Sequence, residues 1–107
     1  MNEENEPKLS FTCNFDERTA WEVEQKGWFE GVVVILPNGL RIPVSFWDPV
    51  RLSQDLETGL KFGEICLAEP GLIVLPKVTY EYMQKAIRQL FEKKYFDRLI
   101  ALGGDQQ

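Results

Sequence analysis

Histidine is absent from this 107-residue chain, and cysteine occurs only twice. Without an imidazole the chain cannot, by itself, build a Ser-His-Asp or Cys-His nucleophilic system or a His-containing zinc site. Cys13 and Cys66 fall outside the paired spacings that metal and redox centres use. Each has apolar neighbours (Phe11, Ile65 and Leu67), so buried free thiols are expected. The glycines are scattered at turns and segment ends. No Gly-rich phosphate loop and no Gly-Lys-Ser or Gly-Lys-Thr occurs, which disfavours nucleotide chemistry. Asp55, Glu57, Glu64 and Glu69 lack calcium-loop spacing, so neither a metal nor a cofactor is implied. No apolar run approaches the roughly 20 residues that span a bilayer. The opening residues Met1 to Glu6 are acidic where a secretory signal is basic, and the expectation is a cytoplasmic chain without membrane attachment.

Net positive charge is lacking as well. The formal charge of −5 argues against wholesale nucleic-acid binding. It is unevenly spread: residues 1–60 carry eleven acids and five bases, residues 61–107 six acids and seven bases. Lys77 to Arg98 holds six bases against three acids, read as a solvated helix face rather than an anion site.

What the chain does have is apolar material: 44% hydrophobic residues, with three Trp, three Tyr and seven Phe, enough for one genuine core. Met1 to Pro7 reads as a disordered acidic tail, and residues 8–104 as a single α+β domain. Leu9, Phe11, Cys13 and Phe15 alternate with polar residues, the period of a half-buried strand. Asp16 to Gly27 admits two readings. One is a short helix capped by Asp16 and ended by Gly27. The other, preferred for the alternation of Trp21 and Val23 with Glu22 and Glu24, is a strand.

Val32 to Leu36 is a β-branched run suited to a central strand. Pro37-Asn38-Gly39 turns the chain back into Leu40 to Trp47 as a hairpin. With Asn38 and Gly39 as a two-residue loop, Ile35 would oppose Ile42 and Val33 would oppose Val44. Val32, Val34 and Trp47 then land on the reverse face, leaving apolar side chains on both sides of the ribbon. Pro43, which has no N–H to donate, marks an edge or a bulge.

Asp48-Pro49 reads as the start of a short helix reaching Thr58 and stopped by Gly59. Leu60 to Ala68 and Leu72 to Leu75 read as a second hairpin around Glu69-Pro70-Gly71, where Pro then Gly fits a type II turn. Thr79 caps the C-terminal helix, whose Met83, Ala86, Ile87, Leu90 and Phe91 form one apolar stripe. Past Lys93 and Lys94 the stripe shifts to Phe96, Leu99 and Ile100, so the helix breaks near Lys94 or contacts another layer. The predicted architecture is an antiparallel sheet of four to five strands, with the C-terminal helix packed on one face and a short helix after the first hairpin.

Two apolar faces and one long helix leave spare apolar surface. The functional expectation is therefore a non-catalytic protein-interaction module. It would self-associate, as in a homodimer, or act as an inhibitor or immunity-type partner of another protein. Its interface would comprise Val32, Val34, Trp47, Phe96, Leu99 and Ile100. The alternative is a small acid/base enzyme or small-ligand binder using Glu22, Glu24 or Glu30 in a pocket lined by tryptophan. Trp21, Trp28, Trp47, Tyr80 and Tyr82 are the candidate lining.

Overall fold

The structure, a computed structural model, describes residues 5–104, with side chains through residue 100. Strand β1 (Lys8–Phe11) is followed by helix α1 (Glu17–Lys26), strands β2 (Trp28–Ile35) and β3 (Arg41–Trp47), and helix α2 (Pro49–Lys61). Strand β4 (Leu72–Val74) and helices α3 (Tyr80–Glu92) and α4 (Tyr95–Gly104) complete the chain. The four strands form one sheet in the order β1-β2-β3-β4. The first two pairings are antiparallel, whereas β4 runs parallel to β3, so the sheet is mixed rather than purely antiparallel.

The reason lies in Pro49–Lys61. Its helix starts as expected, with Asp48 accepting from the Arg51 N–H at 2.8 Å and Pro49 in the first turn. It then runs through Gly59 and turns at Gly63 instead, so Leu60 and Lys61 are helical and 64–69 are irregular. The expected second hairpin consequently has no first strand. The Pro70-Gly71 turn does form: Leu72 N–H donates to Glu69 O at 3.3 Å, with Gly71 at φ 77. It delivers the chain into β4 after a long crossover, which a parallel pairing requires.

Residues 16–27 form a helix, not a strand. Asp16 accepts from Thr19 N–H at 2.9 Å, Arg18 pairs with Glu22 one turn on at 3.4 Å, and Gly27 closes the helix at φ 72. Capping at both ends outweighs the alternation of Trp21 and Val23, and Val23 alone of this helix is buried.

The first hairpin forms where expected but in a different register. Leu36 N–H donates to Leu40 O and Leu40 N–H to Asn38 Oδ1, so the loop spans Leu36 to Leu40 rather than two residues. Ile35 therefore faces Arg41, Val34 faces Ile42, and Val32 faces Val44. A one-residue slip exchanges the faces of β3 relative to β2. An irregularity between Phe29 and Val32 shifts the register by one residue more, placing Phe29 opposite Phe46 and Trp28 opposite Trp47.

As a result Val32, Val34, Ile42, Val44 and Phe46 join a single buried cluster with Val23, Ile73, Val78, Met83, Ile87 and Phe96. Phe11, Phe15, Phe29 and Tyr80 extend it, with Phe11 stacked on Phe15 at 4.4 Å. The expected break at Lys94 is present: Lys93 and Lys94 turn between α3 and α4, with Lys94 at φ 65. The tail expectation for Met1 to Glu4 lies outside the described residues, but Pro7 is buried and Glu6 pairs with Arg88 at 3.0 Å.

Candidate functional site

The expected interface residues sit mostly inside the molecule. Val32, Val34 and Phe96 are 1% exposed or less and Trp47 is 5% exposed, while Leu99 and Ile100 are half-buried against the core. The register accounts for this, because it gathers on one face the valines that a two-residue loop would have divided between two. The spare apolar surface lies on α2 instead. That helix buries no residue completely. Its Leu52, Leu56 and Leu60 recur every fourth position and fall within an arc of about 80° on an ideal helix. Leu60 is 54% exposed, and the irregular stretch beyond adds Phe62 at 80% and Ile65 at 85%. Sequence reasoning assigns Leu60, Phe62 and Ile65 to a strand of the second hairpin, which conceals them as a surface.

Only one flank of α2 is anchored. Arg51 lies with its guanidinium 5.2 Å from the centre of the Trp28 ring. Its Nε donates to both Asp55 carboxylate oxygens (3.0 and 3.1 Å), and its Nη1 donates to Lys26 O at 3.3 Å. Trp28 in turn tilts against Trp47 at 5.8 Å. The arginine thus fastens the start of α2 to the end of α1 and to the sheet, and leaves the leucine flank uncovered.

A cleft of about 830 Å³ wraps the edge of β3. β4 pairs only with Ser45 to Trp47, so Arg41 to Val44 has no strand on that side. Ser45 N–H points toward β4, where it meets Gly71 O at 3.0 Å. Two residues earlier on the same edge stands Pro43, which has no N–H to offer, as its place in the sequence suggested. Ile42, Val44 and Leu99 give the cleft apolar walls, and Glu30 and Glu69 bring carboxylates. Glu69 is held: Trp47 Nε1–H donates to Ser45 Oγ at 3.1 Å, and Ser45 Oγ–H donates to Glu69 Oε1 at 3.1 Å. Ser45 is 3% exposed, so the relay fixes that carboxylate from inside the fold.

Glu22 and Glu24 lie on α1, and Glu30 lies on β2. Because residues 16–27 are helical, no pairing of two strands places the three carboxylates on one face. Glu22 and Glu30 line a smaller cleft of about 230 Å³ with Trp28 and Lys26, and Glu22 is already engaged by Arg18. The tryptophans do not gather either, since Trp21 stands 63% exposed on α1 while Trp28 rests on Trp47. Tyr80 belongs to the phenylalanine cluster, and Tyr82 lines a separate cleft with Pro76.

Cys13 and Cys66 are both exposed, contrary to expectation, because β1 ends at Phe11 and the second hairpin is missing. Among the described residues no three His, Cys, Asp or Glu side chains gather as a metal site, and no helix is long and apolar enough to cross a membrane. The Asp16 carboxyl is held below the usual carboxylate range by the Thr19 N–H and then the Thr19 hydroxyl, which is a capping effect. Comparison with protein-family models, with curated proteins and with solved structures found no match.

Proposed function

We infer that the protein is a non-catalytic interaction module that self-associates through α2 and the segment following it, rather than through the sheet. The observation that carries this reading is the exposure of Leu56, Leu60, Phe62 and Ile65 beside half-buried Leu52, on a helix with nothing fully buried. Monomeric proteins rarely leave such a contiguous apolar strip in water.

Charge supports a second copy as the occupant. Asp48 to Glu69 holds five acids and two bases, whereas Lys77 to Arg98 holds six bases and three acids, so one copy's apolar strip carries the charge that complements another's helical face. Completing the burial of Leu56, Leu60, Phe62 and Ile65, exposed to 38%, 54%, 80% and 85%, yields roughly 5 kcal/mol gross at about 2 for each fully exposed side chain. Lost rigid-body freedom costs at least about 4 kcal/mol, so association is weak, at hundreds of micromolar and above.

Sedimentation equilibrium from about 10 μM to 1 mM enters that range. A mass rising with concentration is expected, lowered in part by salt and returned to monomer by Leu60→Glu with unchanged circular dichroism. A strict monomer throughout overturns the self-association reading.

A further inference from the structure

We propose that the cleft at the open edge of β3 binds a small organic cation: an ammonium or guanidinium carried on a short apolar frame. Its volume of about 830 Å³ lies within the range of small-molecule sites. Among the described residues no lysine or arginine lines it, and two carboxylates do. Ile42, Val44, Pro43 and Leu99 are the counterpart of the apolar frame, and Glu69 and Glu30 that of the charged head.

The geometry separates this site from a merely acidic surface. Glu69, an exposed residue, is oriented by a hydrogen bond from a serine buried in the sheet, and that serine is itself bonded by the Trp47 indole. A carboxylate already held in place loses little side-chain entropy when a cation arrives. Strand addition is a poor alternative at this edge, since Pro43 removes the donor that an incoming strand needs. An anion would face both carboxylates with no compensating charge in the lining.

The test compares three probes of similar shape, 2-phenylethylamine, 2-phenylethanol and 3-phenylpropionate, in amide-resolved NMR titrations of the full chain. The amine is expected to shift Val44, Ser45, Glu69 and Leu99 saturably, with an affinity at least about tenfold above the alcohol, and the carboxylate to shift none of them. Glu69→Gln should remove about that tenfold while leaving the alcohol's weak binding intact. Ser45→Ala should weaken the amine less, since the carboxylate survives but is no longer held. Equal binding of amine and alcohol, no saturable shift at these residues, or an unchanged amine affinity in folded Glu69→Gln each overturns the proposal. Leu60→Glu lies outside the cleft and should keep full amine binding, so this site and the self-association surface fail separately.

Discussion

Replacing Gly71 with alanine should destabilise the fold by about 3 kcal/mol, and the figure follows from two features of the β3–β4 crossing. Gly71 adopts φ 77, a left-handed conformation that costs an L-residue about 1–2 kcal/mol. An added Cβ would also stand 2.7 Å from the Pro43 carbonyl oxygen and 3.2 Å from Val44 Cα. Both neighbours are backbone, so no side chain can rotate away and β4 itself must retreat. That retreat strains the 3.0 Å bond from Ser45 N–H to Gly71 O, worth about 1 kcal/mol net. Gly39→Ala supplies the control: its φ is 90, but nothing lies within 4 Å of the new Cβ, leaving the conformational cost alone. With roughly 4–8 °C of Tm per kcal/mol in a domain of this size, the two variants should differ by about 5–10 °C. Urea unfolding followed by tryptophan fluorescence gives the same comparison as a shift of midpoint at constant slope. Equal losses for the two variants would refute the close approach of β4 to β3.

Phe96→Ala should cost about 3–5 kcal/mol, whereas Phe62→Ser should stay within about 0.5 kcal/mol in a monomer; thermal melts at low concentration separate a core residue from a surface one. Ser45→Ala should cost about 1–3 kcal/mol, because the Trp47 indole loses its acceptor while remaining buried, and the indole N–H resonance reports the change directly. Asp16 has a depressed pKa in the folded state, so its capping contribution is complete above the unfolded value of about 3.9 and is lost as pH falls through the folded one. Asp16→Asn should accordingly flatten the dependence of stability on pH in the acid limb below about pH 4, and an unchanged acid limb would contradict the capping geometry.

Local signals with a dedicated chemistry were legible in the sequence. Asp48-Pro49 and Thr79 cap helices as read, Pro70-Gly71 turns as read, and the stripe shift at Lys94 marks a real break between two helices. Choices between two regular patterns were not. Asp16 and Gly27 are legible as caps, but the short alternation beside them favours a strand that α1 does not honour, since Trp21 is exposed and Val23 buried. The Asn38-Gly39 turn was located, yet the length of its loop depends on the Asx bond to Leu40, and one residue of slip was enough to transfer Val32 and Val34 from surface to core. The candidate cleft was legible at Glu30, at Pro43 as the mark of an edge, and at Leu99 as apolar surface. Glu69 acquires its role through Ser45, a contact spanning 24 residues that no local pattern encodes. The exposed strip of Leu60, Phe62 and Ile65 was hidden by the same misreading that made β4 the second strand of a hairpin.

The parallel attachment of β4 also determines how the cleft is coupled to the rest of the molecule. Strands β2 and β3 are joined by a hairpin and β1 by the excursion through α1, whereas the three-residue β4 and the Glu69 clasp are reached only after α2 has gone out and come back. Closing so long an excursion costs chain entropy that few ladder bonds return. Detachment of this three-residue outer strand is therefore a low-cost opening of the sheet, and it dismantles the cation cradle as Ile73 and Leu75 leave the buried cluster. Occupancy of the cradle and adhesion of the outermost strand become one equilibrium, so a bound amine should slow amide exchange at Ile73 and Leu75 before it changes anything at Val34.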